Sequence, residues 1–401
     1  MTINTFTATG VESARWPRGR FLLLATGLGA VTTALSLTLS LVRPLWGDEE
    51  ITIRVVQMPW PEFQNLISQT DAVHALYYVL VRTLSVAAPE TVFTLRLLSA
   101  LCVGLTAVAL ILIAERWMSA RSAVFAWLIF SLMPITTRYG TEGRAGALML
   151  TLATWSTWAV MKLVLKPDRR VRWQTSYVAF LSATIYANAL AALIAGPHVV
   201  ATALSRKTRV RLPRLILSQI LSAALAAFVV VALFIQRDTM GSYVGLQRPG
   251  LKELVQVFAL PFGHGDRPAT LLLAFIAWSV IISGTFKALR AGKVRIDNES
   301  SWFFGLAWSW ALLPGLALLA VSLVNPMFSS RYVLFSVPAV ALLLSWSIRQ
   351  FQSSGTRLAI ATLLVTLGVL AFQGALINHG GPCVLDQLRG VQLIVWANCG
   401  P

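Results

Sequence analysis

Apolar residues fill long stretches of this chain, and polar residues gather in the gaps between them. The first stretch is Phe21 to Val42. Others cover Thr91 to Ile113, Ala123 to Ile135, Gly146 to Leu165, Leu215 to Ile235, Ala269 to Ala288, Trp302 to Val324, Tyr332 to Ile348 and Leu358 to Ile377. Apolar runs of this kind with few charges predict membrane-spanning helices. Trp173 to Leu204 is too long for one ordinary span and lies between two basic runs, Lys166 to Arg172 and Arg206 to Arg214. One long tilted helix would put those runs on opposite sides of the membrane. Two short helices, broken near Asn188 or around Gly196-Pro197, would put both on one side.

Charge decides between these alternatives. With two crossings the chain has eleven spans, 21 Lys plus Arg against 5 acids on the cytoplasmic face, and 12 against 11 on the external face. A single crossing would move Lys287, Arg290, Lys293 and Arg295 outside, against the positive-inside bias. The eleven-span arrangement also makes the N-terminal segment 1–20, which ends in Arg15, Arg18 and Arg20, cytoplasmic. The first apolar run exceeds the roughly 7 to 15 residues of a signal-peptide core and is read as an uncleaved helix. The organisation expected is therefore a transmembrane domain over 21–377, external loops at 44–95, 137–146 and 237–268, and a short external tail at 378–401.

Composition agrees. The chain is 56% hydrophobic and 12% charged with a mean hydropathy of +0.70, whereas soluble domains carry about 25% charged residues. A soluble enzyme is excluded. The net charge of +17 would suggest a nucleic-acid partner in a soluble protein. Here the excess sits on the cytoplasmic face, where it sets orientation and meets anionic lipid, and no nucleic acid is expected. Cys102 falls within a span, while Cys383 and Cys399 fall in the external tail, where a bridge or two free thiols are both compatible with the compartment.

The candidate chemistry lies in the external segments, because ionisable groups near a membrane are costly to keep. The loop 44–95 holds Asp48, Glu49, Glu50, Glu62 and Asp71. Asp48 suits either a helix start, where acids answer the helix dipole, or a general base at the interface. Asp71 and His74 are spaced to share a helical face beside Tyr77 and Tyr78. They could orient an acceptor or contribute to a metal site, or be a cap and an interfacial histidine. In the short loop 137–146, Arg138, Glu142 and Arg144 lie among glycines and could bind an anion such as phosphate, or Arg138 and Glu142 could satisfy each other. Arg331 and Tyr332 open a later span, Arg331 either snorkelling or completing the same anion clamp. Arg96 at the start of the second span is a further candidate. His198 reads as a hydrogen-bonded helix residue, and His264, Asp266 and His379 carry no clear role. There is no Gly-rich phosphate loop, HExxH, CxxC or GxSxG around a serine.

Taken in order, Trp46-Gly47-Asp48-Glu49, Asp71 to Tyr78, Leu95-Arg96, Arg138-Tyr139 with Glu142 and Arg144, and Ser330-Arg331-Tyr332 before Pro338 resemble the multispanning GT-C glycosyltransferases. The similarity is to the bacterial branch akin to protein O-mannosyltransferases and the aminoarabinose lipid A transferase, and is firmest over residues 40–165 and again around 325–345. The resemblance implies an all-α GT-C-type bundle in the bacterial inner membrane. It implies transfer of a sugar, mannose first among them, from a polyprenyl-phosphate carrier to a hydroxyl of a glycolipid, glycan or protein on the external face, with inversion. Asp48, with Glu49 beside it in the acidic motif, would be the catalytic acid residue acting as base. Asp71, His74, Tyr77, Arg96, Arg138, Glu142, Arg144, Arg331 and Tyr332 would bind substrate. Ala145-Gly146-Ala147 departs from the family, which often has tyrosine after Glu-x-Arg. Members differ in metal dependence; no three-ligand set is evident here, so no metal and no cofactor is expected. The competing readings are the same chemistry with arabinofuranose or aminoarabinose, or a lipid or sugar transporter. A transporter would place ionisable groups near the midplane and show an internal repeat, neither of which the sequence displays.

Overall fold

The structure, a computed structural model, describes residues 17–45, 47–88, 91–166, 170–244, 248–263, 267–294 and 299–377. All regular secondary structure among them is helical. The helices are α1 (Arg18–Leu41), α2 (Gly47–Gln57), α3 (Trp60–Gln69), α4 (Ala75–Ala87), α5 (Thr91–Trp117), α6 (Ala120–Leu132), α7 (Pro134–Thr141), α8 (Ala145–Leu165), α9 (Arg170–Ala187), α10 (Ala195–Leu204), α11 (Arg206–Arg209), α12 (Leu212–Leu225), α13 (Ala227–Val244), α14 (Leu251–Ala259), α15 (Pro268–Arg290), α16 (Glu299–Ser322), α17 (Val337–Ile348) and α18 (Ser354–Ile377).

Each of the ten apolar stretches is helical, but they are not equivalent. Six are long and apolar enough to cross a bilayer unaided, and two more qualify as bent pairs. The first pair, α6 and α7, bends by 64°. Its cause is Pro134, which forces the preceding Met133 out of the helical region to ψ 126°. The second pair is α12 and the following helix up to Gln236, again bent by 64°. The stretch over 173–204 is broken at Asn188, one of the two positions expected. Asn188 is extended, and its side chain accepts a hydrogen bond from the Leu190 N–H, starting a 3-10 segment at Ala189. The last stretch before α18 also begins as 3-10, Ser330–Ser336, before α17.

The region 44–95 departs most from its reading as a loop. It is built from α2, α3, a 3-10 turn Ala72–His74 and α4. These helices are short and amphipathic, so no long apolar run announces them. Their buried positions, Val55, Val56, Phe63, Tyr77, Tyr78 and Val81, join the main core.

α1 packs on α5, α5 on α8, α8 on α9, and α10 on α16. With lipid outside, there is little hydrophobic drive between helices, so polar contacts and close packing hold such a bundle. Thr106 and Thr151 meet at 2.8 Å between α5 and α8, and Trp127 of α6 donates to Thr32 of α1 at 2.8 Å. His198 is fully buried, its ring nitrogens 3.0 Å from the Thr157 hydroxyl and 2.9 Å from the Tyr177 hydroxyl, a structural hydrogen-bonded histidine. Cys102 is a buried free thiol. The outer surface shows large apolar side chains such as Leu23, Phe234 and Phe275, the surface a bilayer would cover.

Candidate active site

The candidate residues converge where α1 ends, α2 and α5 begin, and α7 turns into α8. Helix ends bring this about. The last carbonyls of α1 lack intrahelical partners, and Arg96 in the second turn of α5 donates to Ser40 O at 2.6 Å, Arg43 O at 2.8 Å and Pro44 O at 3.1 Å. Arg43 does the same for α7, donating to Arg138 O at 3.0 Å and to the Thr141 hydroxyl at 2.7 Å. A cation is favoured at each of these C-terminal ends. The acids Asp48, Glu49 and Glu50 occupy the first turn of α2, where the dipole favours negative charge.

The two buried arginines are then paired. Glu49, with no exposed surface, accepts from Arg96 Nε at 3.0 Å and Nη2 at 2.8 Å, and from the Gly143 backbone N–H at 2.7 Å. Gly143 must lack a side chain, because a Cβ there would stand 2.6 Å from Leu95 Cβ and 3.3 Å from Glu49 Oε1. Glu142 Oε1 takes Arg43 Nη2 at 2.6 Å and Arg138 Nε at 3.0 Å. Burial pushes the Glu142 carboxyl pKa up, but the charges of Arg138 and Arg43 and their hydrogen bonds outweigh it and hold it below the ordinary value. Arg138 and Glu142 thus do satisfy one another, but within a three-residue group that the sequence spacing alone does not contain.

Asp48 differs from its neighbour. Its Oδ2 pairs with Arg144 Nη1, and its Oδ1 is buried with no hydrogen-bond partner among the described residues. A carboxylate oxygen in that condition is the arrangement a general base needs toward an incoming hydroxyl. Asp71 and His74 meet across the turn that precedes α4, Oδ1 to Nδ1 at 2.6 Å, and the Tyr78 hydroxyl donates to Asp71 Oδ2 at 2.7 Å. Burial pushes the Asp71 pKa up, but His74 and the hydrogen bonds from His74 and Tyr78 bring it below the ordinary value. For His74, burial pushes down and Asp71 more than restores it, leaving it raised. Tyr77 is buried beside Ser99.

Arg331 enters from the 3-10 segment before α17, exposed, its guanidinium 5.4 Å from the Tyr332 ring centroid. Its charge acts on His74, Arg138 and Arg144, so segments more than 180 residues apart in sequence face one site. Gly146 admits another aromatic group. A Cβ there would lie 2.7 Å from Tyr139 Cδ1, so the Tyr139 ring from α7 lies against α8 where the sequence has no tyrosine of its own. Arg43, which sequence reasoning passed over, and Tyr139, which it quoted in a motif without a role, are the further site residues. An arginine directly after a long apolar run is a signal for a helix C-terminal cation and could have marked the first.

The donor set is poorly suited to a cation. Glu49 is taken by Arg96, Glu142 by two arginines, and one Asp48 oxygen by Arg144. An anion fits better, since Arg43, Arg96, Arg138, Arg144 and Arg331 gather around three carboxylates, Asp48, Glu49 and Glu142, and the Asp71–His74 pair. His264 and Asp266, His379, Cys383 and Cys399, and Trp46 lie outside the described residues.

No family model and no curated protein matches the sequence. Solved structures do. The crystal structure of ArnT from Cupriavidus metallidurans bound to undecaprenyl phosphate is similar at a TM-score of 0.57 and 15% identity, covering 88% of this chain and 65% of that one. The archaeal oligosaccharyltransferase AglB from Archaeoglobus fulgidus, in complex with an inhibitory peptide and a dolichol-phosphate, is similar at a TM-score of 0.56 and 11% identity, covering 88% of this chain and 55% of that one. The chain therefore spans about two thirds of the first and about half of the second, and identities this low speak for a shared architecture. It shares the all-helical architecture of these two solved structures.

Proposed function

We propose that this chain is a membrane glycosyltransferase that moves a sugar from a polyprenyl-phosphate carrier to a hydroxyl acceptor on the external face, inverting the anomeric centre. The observation that carries the reading is the divided role of Asp48: one oxygen held by Arg144, the other buried and unengaged, beside an excess of arginines. In the reaction, the acceptor oxygen attacks the anomeric carbon as its proton passes to Asp48 Oδ1, and the bond to the carrier phosphate breaks with its electrons on the phosphate oxygen. The leaving phosphate needs fixed positive charge and no proton. Arg331 is exposed to meet it, while Arg138 and Arg144 add to the local field. Glu49 and Arg96 hold α1, α2 and the α7–α8 turn in register around that oxygen. Asp71 and His74 face the same space from below α4 and are assigned to orienting substrate.

The structural neighbours crystallised with undecaprenyl phosphate and dolichol-phosphate support a lipid phosphate as donor. Mannose is the sugar to try first, and the acceptor class is a cell-envelope glycolipid, glycan or protein. Membranes containing the chain, supplied with radiolabelled polyprenyl-phosphate-mannose and an envelope extract, should transfer label to a non-carrier product. Transfer from another labelled polyprenyl-phosphate sugar with none from mannose would overturn the choice of sugar and keep the reaction; transfer from no such donor would overturn the reaction.

A further inference from the structure

At the opposite end of the bundle from Asp48 lies a second charged cluster that the sugar-transfer reading does not use. α8 begins next to Arg144 and ends at Leu165, and its 21 residues span about 30 Å, the thickness of a bilayer core. Its far end therefore meets the other membrane face. There Lys162 lies among Lys166, Arg18 of the first turn of α1, and Arg116 of the last turn of α5, all of whose charges repel it, with Glu115 as the acid in the same group. α9 adds Arg172 in its first turn.

The aromatic groups are arranged around these cations. Lys162 Nζ stands 5.2 Å from the Trp158 ring centroid, Arg116 is 5.1 Å from Trp117, and Arg172 is 5.1 Å from Trp173. Trp158 and Trp173 meet edge to face at 5.1 Å. Indoles at this depth are the side chains that settle at a membrane interface. Lys166, Arg18 and Arg172 are exposed, whereas Lys162 and Arg116 are half-buried, so the cations lie at two depths. Lys162, Lys166, Arg18 and Arg116 outnumber Glu115 among the described residues of the group, so an added anion would relieve their mutual repulsion. A soluble anion would satisfy the charges but would leave the exposed apolar side of α1, Leu22 and Leu23, uncovered.

We infer that the basic cluster at the ends of α1, α5, α8 and α9 binds the phosphate headgroup of an anionic phospholipid in the leaflet opposite the candidate active site. Its acyl chains lie along the lipid-facing side of α1, and the headgroup ties together the three helices that position Arg43, Arg96 and Arg144 at the other end. The inference does not depend on the proposed reaction.

Native mass spectrometry of the full purified chain, titrated with phosphatidylglycerol or with phosphatidylcholine, reads this directly. Phosphatidylglycerol should bind the more tightly. Arg18→Gln combined with Lys166→Gln, two exposed positions, should weaken it roughly thirtyfold, from the worth of two basic side chains at an anionic membrane surface. Arg290→Gln with Lys293→Gln, basic residues near the end of α15, should leave that affinity unchanged. Equal binding of the two lipids, or equal loss in both double variants, would overturn the inference. So would displacement of phosphatidylglycerol by an equal concentration of inorganic phosphate, which would make the site one for a free anion. A wild-type measurement guards against misfolded variants: raising salt from about 0.1 M to about 1 M shortens the screening length from about 10 to about 3 Å and should weaken phosphatidylglycerol alone. Salt-independent binding would also overturn it.

Discussion

Replacing Glu49 with glutamine tests whether this acid is the keystone of the site's framework. The carboxylate is wholly buried and makes three hydrogen bonds, two to Arg96 and one to the Gly143 N–H. The amide keeps the shape and one acceptor oxygen, which at the Oε1 position serves both the Gly143 N–H and Arg96 Nε. It removes the negative charge facing a buried guanidinium and turns a second oxygen into a donor aimed at other donors. Breaking a buried ion pair from one side costs about 3 to 5 kcal/mol. The carbonyls of Ser40, Arg43 and Pro44 still receive Arg96, so the lower end, about 3 kcal/mol, is expected. Heating the protein in detergent and following the monodisperse fraction by size exclusion should show a midpoint several degrees lower. An unchanged midpoint for Glu49→Gln would refute the framework role. Loss of transfer without loss of stability would move Glu49 from the framework to the chemistry.

Other consequences follow from the same geometry. Arg331→Gln, at an exposed position, should leave the thermal midpoint within about 0.5 kcal/mol of wild type and raise KM for the lipid-phosphate donor; an unaltered KM would remove it from the donor site. The Asp71–His74 pair sets a pH window. Asp71 has a lowered folded pKa, so its contribution is present above about 3.9 and is lost as pH falls through the folded value. His74 has a raised one, so its contribution is complete below about 6.5 and is lost as pH rises through its folded value. Hydrogen exchange over residues 71–78 should therefore be slowest between about pH 4 and 6.5 and quicken, relative to a distant helix, above it; a flat ratio would contradict the pairing. In a background with Cys383 and Cys399 replaced by serine, Gln64→Cys should label from outside the cell and Lys207→Cys should not, and the reverse would invert the topology. Transfer should survive removal of divalent ions with a chelator, and loss restored by added metal would contradict the metal-free reading.

Most of the fold was legible because spans are written in long apolar runs, and the two basic flanks of 173–204 forced the break that Asn188 makes. The short helices of 44–95 were not, since α2 and α3 are only 11 and 10 residues long and their buried positions are scattered among charges. The site was legible as a list of residues and not as a set of pairs. Asp71 and His74 could be paired from their spacing, as could Arg138 and Glu142, because those contacts are local. The partners Asp48–Arg144, Glu49–Arg96 and Arg43–Glu142 come from different helix ends, and nothing in the local sequence distinguishes which acid keeps a free oxygen. That distinction, between Glu49 engaged on both oxygens and Asp48 engaged on one, arises only when α2 is set against α5 and the α7–α8 turn.

The central claim is that Asp48 removes the acceptor proton. Its most direct test is transfer from a radiolabelled polyprenyl-phosphate sugar on which the wild-type chain is active, comparing wild type with Asp48→Asn at equal amounts of folded protein. The variant keeps an oxygen for Arg144 but loses the basic carboxylate. A positioned base contributes about 10²- to 10⁴-fold, so kcat should fall by that order while labelled carrier still binds. Wild-type rates from Asp48→Asn would contradict the account.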